Sequence, residues 1–344
     1  MEGRKHMMFL RIAGTIGAIV LAVTSMSSCG HIYEDLEPCP HGVSLRFVYD
    51  YNMEYANSFP HKVDCLTLLV YDDEGNHIDT RTVTGPELRD ESYRMTLDLE
   101  EGTYRFVAYG GMACEESSFS FRSLDRRASG TGARYENLLV AMNEECLSHP
   151  DKRRLHDLYW GELTMSTAEL YSQGTLKMMK NTNNIRIVLQ QVDGEPVHAG
   201  DFEFSITDDN TLFGPDNDLI PNGAVTYYPW TSGDAVAGVS GEEENEGEPV
   251  VVAYSEFSMS RLMRKNSPRL LIRLKEDGRE IVDIPLNDYL LLLKSELYAK
   301  MPPQEFLDRE SLWSVVFFLG HDMSWLRTHI KINDWVVRIN NAEM

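Results

Sequence analysis

The chain has 344 residues, with 54 acidic against 32 basic side chains and a formal net charge of −22 at pH 7. A body this acidic repels phosphate backbones and anionic headgroups, which excludes nucleic-acid binding and charge-driven membrane adsorption as main roles. Hydrophobic residues make up 42% of the sequence, enough for sizeable cores, and a chain of this length is expected to divide into two.

Residues 1–28 read as a lipoprotein signal peptide. Arg4 and Lys5 precede an apolar run from Phe9 to Val23, and Ser25-Met26-Ser27-Ser28 lead into Cys29. That run is about 15 residues, short of the roughly 20 that a membrane-spanning helix needs, so cleavage is favoured over a retained span. Met26 stands where leucine is usual in a lipobox. A triacylated Cys29 would be held by about 0.8 kcal/mol per buried methylene, in effect permanently. Simple secretion with Cys29 free or oxidised is the competing reading. Cleavage leaves 316 residues that are two units more acidic, since Arg4, Lys5, Arg11 and Glu2 leave together.

The remaining cysteines, Cys39, Cys65, Cys114 and Cys146, all fall in the first half of the mature chain. Export predicts one or two disulfides among them, with three full pairings open. They form no C-x-x-C and have no histidine at local zinc spacing, so no metal site is expected. Cys65 reads equally well as a buried free thiol.

Val43, Leu45, Phe47, Tyr49 and Tyr51 alternate with polar residues, the period of a half-buried strand. Residues 63–71 and 77–84 flank Asp72-Asp73-Glu74-Gly75-Asn76 as a hairpin, and 93–99 and 104–108 flank Glu101-Gly102. Five strands with short turns predict an antiparallel sandwich. Residues 111–157 read as a long connection with one short helix over 135–145, before strands resume at 159–165 and 175–179. Polar Lys180 to Asn184 sets a boundary near Asn183, giving domains 29–183 and 184–344.

The second half repeats this grammar. Strands are expected near 185–189, 202–206, 225–228, 250–254, 270–274 and 280–284, with an acidic loop at 241–248 and a helical patch over 286–309. Pro302-Pro303 interrupts that patch and favours a new helix start. Leu312–Leu319 and Ile330–Ile339 close the chain as strands. Ile330 and Ile332 share one phase while Trp335, Val337 and Ile339 share the other, which demands a bulge or tight turn at 333–334. The fold class is therefore all-β, two sandwiches with short helical inserts.

A catalytic constellation is not visible. Gly238-Val239-Ser240-Gly241 misses nucleophile-elbow spacing by one residue, His321-Asp322 has no partner nucleophile, and neither a zinc helix, a P-loop nor a dinucleotide fingerprint occurs. Asp208-Asp209-Asn210 and Asp216-Asn217-Asp218 are oxygen-rich enough to raise calcium, although EF-hand spacing is missing. Tyr227, Tyr228 and Trp230 raise a glycan-stacking surface, with core packing as their competing fate. The residues alone describe a surface-tethered binding or structural protein, neither an enzyme nor a cofactor carrier.

Cys29, the stretch His31-Ile32-Tyr33-Glu34-Asp35-Leu36-Glu37-Pro38-Cys39-Pro40, the 43–51 strand, Asp64-Cys65-Leu66-Thr67-Leu68, Gly102-Thr103-Tyr104, Leu307-Asp308-Arg309-Glu310 and Ile332-Asn333-Asp334-Trp335 together resemble the FimB-type anchoring subunits of lipoprotein-derived (type V) fimbriae of Gram-negative anaerobes. The resemblance implies transthyretin-like sandwiches, an outer-membrane lipid on Cys29, surface export marked by Glu34, Asp35 and Glu37, and a role in tethering a shaft, limiting its length and assisting accessory subunits. Related stalk pilins are cut by an arginine-specific protease after the first strand. Here Arg46 lies inside that strand and residues 50–61 contain no arginine, which favours an uncut anchor. Strand addition to the shaft pilin is expected at Ile330, Ile332, Trp335, Val337 and Ile339, or at another edge of the second domain. The alternative is a surface lipoprotein that binds glycans.

Overall fold

A computed structural model describes residues 41–123, 134–147, 153–168, 171–237, 250–332 and 335–339, with backbone alone over 327–332 and 335–339. Cys29, Cys39, the leader and the 238–241 and 241–248 loops lie outside the described residues.

The first half supplies β1 (Gly42–Val48), a helical turn α1 (Phe59–Lys62), β2 (Leu66–Tyr71), β3 (His77–Val83), β4 (Met95–Asp98) and β5 (Thr103–Gly110). It continues with β6 (Phe119–Ser123), β7 (Leu138–Met142), β8 (Tyr159–Ser166) and β9 (Tyr171–Lys180). Seven of these strands form one sheet in the order β3-β2-β5-β8-β9-β1-β4. Val43, Leu45 and Phe47 of β1 meet Leu66, Leu68 and Val70 of β2, Phe106 and Ala108 of β5, and Leu176 and Met178 of β9 in one buried core. The sheet therefore folds over on itself as a sandwich.

All six β2 residues are buried, because the strand has a core on each face. Leu66, Leu68 and Val70 point into the first core, whereas Leu69 and Tyr71 point into the second. This explains a continuous apolar run where a half-exposed strand would alternate.

The second half begins with β10 (Thr182–Gln191), β11 (Phe202–Asp208), β12 (Leu212–Phe213), β13 (Val225–Tyr227), β14 (Thr231–Ala237) and β15 (Val250–Ser260). It ends with β16 (Arg269–Leu274), β17 (Glu280–Pro285), helices α2 (Leu286–Leu291) and α3 (Pro303–Arg309), β18 (Leu312–Leu319), β19 (Trp325–Ile332) and β20 (Trp335–Ile339). A six-stranded sheet, β14-β15-β10-β18-β19-β20, faces a four-stranded sheet, β13-β11-β16-β17. Ile185, Ile187, Trp313 and Phe317 from one and Phe204, Ile206, Leu270 and Ile272 from the other share the core that α2 and α3 close with Leu290 and Phe306. Pro303 opens α3, where its missing N–H costs nothing.

Three expectations are corrected. The sandwiches are not purely antiparallel: β1 runs parallel to β9 and β10 runs parallel to β18, since alternation reports a strand but not its direction. Residues 111–157 are not merely a connection. They contribute β6 and β7, which pair with each other and then with β12 of the second half. No helix spans 135–145. Single 3-10 turns at Tyr135–Asn137 and Glu144–Leu147 flank β7, whose five residues are all buried. Its apolar run is short enough to be a fully buried strand rather than a helix.

The strands change sheet at Asn181, and this polar run is a fixed junction rather than a loose link. Lys180 to Asn183 are all buried. The second core runs through the β12-β7-β6 layer, where Phe119 packs on Phe213 at 6.3 Å between ring centres.

Candidate functional site

The candidate working parts are a strand at a sheet edge, a first strand closed on both sides and the path between them. β20 is the last strand of the six-stranded sheet. It pairs antiparallel with β19 from Thr328 opposite Ile339 to Ile332 opposite Trp335, while the expected bulge or turn at 333–334 lies outside the described residues. Its other side meets no strand among the described residues, leaving a row of backbone donors and acceptors for another chain. Ile330 and Ile332 are not on that edge. They belong to β19, which is paired to β18 as well as to β20, so their ladder groups are already engaged. Trp335, Val337 and Ile339 form the edge.

β1 is the opposite case, with β4 on one side and β9 on the other. Val43 and Leu45 are wholly buried. Gly42 sits at φ +142°, and a Cβ there would lie 1.9 Å from the Leu97 carbonyl oxygen, so only glycine fits. Arg46 lies in the parallel ladder opposite Thr175, where a protease could reach its peptide bond only by unpairing the strand.

The loop after β1 is tied down. Asn52 Nδ2 donates to the carbonyls of Tyr49 (3.1 Å) and Ala56 (2.8 Å), and Asn57 Oδ1 accepts from Tyr49 N (3.0 Å). From the second half, Arg309 lays its guanidinium over the rings of Tyr51 (4.1 Å) and Tyr55 (4.6 Å) and donates to the Asn52 carbonyl at 3.3 Å. Glu305 holds the Arg309 Nε at 2.7 Å. This stack fastens the first loop to α3.

The junction continues inward. Lys180 Nζ pairs with Asp157 at 2.9 Å, and Thr182 Oγ1 donates to the same carboxylate at 2.9 Å. Burial alone would raise the Asp157 carboxyl, but Lys180 and these donors hold it below its ordinary range. Asn181 and Asn217 exchange amide hydrogen bonds at 2.6 and 3.1 Å. Arg261 forks onto Asp308 at 2.7 and 2.8 Å and donates to the Asn217 carbonyl at 2.9 Å. Trp313 Nε1 donates to Asn183 Oδ1 at 3.1 Å. Removing one member would strand a buried polar partner, so the network favours one relative placement of the halves.

Among the candidate disulfide residues, Cys65 and Cys114 are bonded to each other. Cys146 is a buried free thiol, contrary to its inclusion in that set. It packs in the second core beside the Ser118 carbonyl, and that burial raises its thiol pKa. Cys65 is therefore not a free thiol.

Several oxygens of the acidic loops are taken by protein donors, although Asp208 Oδ2 is buried without one. Asp208 Oδ1 accepts from Asn266 Nδ2 (3.1 Å) and Asp209 N (2.8 Å), Asp209 Oδ1 from Asn222 N (2.8 Å), and Asp218 pairs with Lys265 (2.8 Å). Burial drives the Asp208 carboxyl up to about 6 despite those donors.

Tyr227 is buried and donates to Asn210 at 2.7 Å, a core role rather than a stacking platform. Trp230 instead lines an open groove of about 390 Å³ with Arg154, Asn184, Arg186 and Glu256. His321 is 90% exposed, with Asp193 at 3.4 Å, while Asp322 caps its own turn through Ser324. No described helix is long and apolar enough to cross a membrane. Sequence reasoning missed the Arg309 clamp and the β6-β7-β12 bridge. Neither leaves a local pattern, because both are made by residues far apart in the chain.

The chain belongs to the family of fimbrillin-A associated anchor proteins Mfa1 and Mfa2, whose model matches residues 36–341. This is a family of structural, cell-surface fimbrial proteins, not of enzymes. A candidate adhesin from Bacteroides thetaiotaomicron is 61% identical over 89% of this chain and all of its own, with a TM-score of 0.82. A candidate polysaccharide-binding protein from the same species is 27% identical over 88% of this chain and 99% of its own, with a TM-score of 0.72. The fimbrial anchor protein Mfa2 of Porphyromonas gingivalis shares the fold at 14% identity, with a TM-score of 0.59 over 87% of this chain and 99% of its own. No curated protein sequence matches.

Proposed function

We propose that the chain is the lipid-anchored base subunit of a fimbrium, tethered to the outer membrane through Cys29 and supporting assembly and length control of the shaft. Family membership supplies the fimbrial context. The observation that carries the anchoring role is β1, paired on both sides and buried. It joins the N-terminal tether to the body without a break, whereas cleavage there would free the body from its lipid.

In this reading domains 29–183 and 184–344 act as one piece, and the buried junction transmits pull from the shaft to the lipid. The shaft pilin adds to the β20 edge by main-chain pairing, and accessory subunits share the same assembly. The test is Cys29→Ala in cells. Fimbriae are expected in the medium, with altered length, while the variant is still made and exported. Normal attachment of fimbriae in that strain would refute the anchoring role.

A second reading, glycan binding, is favoured by the Trp230 groove with its amide, carboxylate and guanidinium lining and by the likeness to a candidate polysaccharide-binding protein. Trp230→Ala should abolish binding on a broad glycan array if that reading holds. No wild-type binding across the array would remove it.

A further inference from the structure

Asp64, Cys65, Cys114 and His156 come from three segments distant in sequence, yet their ligand atoms all lie within 4.8 Å of one another. Asp64 Oδ1 is 3.1 Å from Cys114 Sγ and 3.1 Å from His156 Nε2. The backbone places these groups deliberately: His156 N donates to Ser118 Oγ at 2.8 Å, and Gly111 N, three residues before Cys114, donates to the Cys65 carbonyl at 3.1 Å. Gly111 has φ +88°, and a Cβ there would sit 2.0 Å from the Asp157 carbonyl oxygen. The loop after β5 is thus pressed against the segment that carries His156.

We propose that these four residues form a reduction-gated site for a thiophilic divalent cation of the zinc type. Two thiolates, one imidazole and one carboxylate are a zinc donor set. A tetrahedron with bonds of about 2.0 to 2.3 Å needs its ligand atoms roughly 3.3 to 3.8 Å apart. Asp64 Oδ1 is already 3.1 Å from Cys114 Sγ and from His156 Nε2 and no pair exceeds 4.8 Å, so side-chain rotations can complete the set once the sulfurs part. A cleft of about 690 Å³ lined by Asp64, Cys65 and Cys114 gives reductant and ion a way in.

The chemistry balances. A trialkylphosphine donates two electrons to the Cys65–Cys114 bond and takes the oxygen of water to become the phosphine oxide, while the two protons of that water end on the thiols. The cation then displaces both thiol protons to solvent, and His156 binds through Nε2 with its proton on Nδ1. The oxidised pair keeps no thiolate, so the same residues hold a disulfide or a metal, not both.

The experiment titrates cadmium into the purified chain, oxidised and phosphine-reduced with the phosphine removed, following the near-ultraviolet sulfur-to-cadmium band and the heat of binding. One ion per reduced chain is expected, with no such band from the oxidised form. His156→Ala and Asp64→Asn should each weaken binding by at least the roughly tenfold that loss of an outer-shell partner costs. The Cys65→Ser/Cys114→Ser variant retains the other cysteines and should show no site. Cys114→His removes the disulfide while keeping four donors, so it should bind zinc without reductant even if reduction loosens the wild type. Equal binding by the double serine variant, or affinity unchanged in His156→Ala, would overturn the proposal. So would absence of binding in both the reduced chain and Cys114→His.

Discussion

β1 and β20 stand at opposite ends of the described chain and are finished differently. β1 has a neighbour on each side and its apolar residues in a sealed core, whereas among the described residues β20 is paired only with β19. A strand with both ladders filled can neither leave its sheet cheaply nor accept a partner, while an edge strand can accept one at once. The first strand is thus committed to its own sheet, while the last keeps the capacity to pair with another chain.

The comparison breaks most severely if the sandwich around β1 is loosened. The Cys65–Cys114 bond closes a loop of 49 residues, worth up to about 4 kcal/mol through the unfolded chain. Urea unfolding of Cys65→Ser/Cys114→Ser should show most of that loss. Leu45→Ala, in the centre of β1, should cost about 3 kcal/mol by the same measurement. Gly42→Ala must move the Leu97 carbonyl or distort β1 and should cost about 2 kcal/mol, read as a lower urea midpoint.

The smallest expected effect concerns Asp208, on the four-stranded sheet away from both strands. Its folded value of about 6 stands above its ordinary 3.8. The fold therefore favours the neutral acid, and the contribution is full below about pH 4 and lost as pH rises through about 6. Asp208→Asn should stabilise the chain by up to about 2 kcal/mol at pH 8, with the gain fading by pH 4. A thermal melt at the two pH values checks it, and a pH-independent difference would rule out this titration as the cause.

The strands that alternate were readable from the residues alone. Leu45 with Phe47, Ile185 with Ile187, and Trp313 with Val315 all face inward as their period requires. Elements defined by distant partners were not. β12 is two residues long and exists because β7 lies beside it, and Leu138–Met142 reads as a helix or a strand until its neighbours are known. The parallel pairing of β1 with β9 depends on a return across more than a hundred residues, which no local pattern encodes.

The site divided in the same way. Trp335, Val337 and Ile339 could be proposed from their phase, but that Ile330 and Ile332 lie one strand inward required the hairpin register. His156 stands 92 residues from Asp64, so no local spacing in the sequence links the two. Arg309 looks like an ordinary helix-terminal charge until Tyr51 and Tyr55 are seen beneath it.

The central claim, a base subunit that holds a shaft through its open edge, is tested most directly by isolating the tagged chain from outer membranes and measuring the shaft pilin that accompanies it. The wild type should retain pilin, and a chain ending at Ile332 should lose it while still melting cooperatively. Pilin absent from the wild type, or retained equally by the shortened chain, would contradict the account.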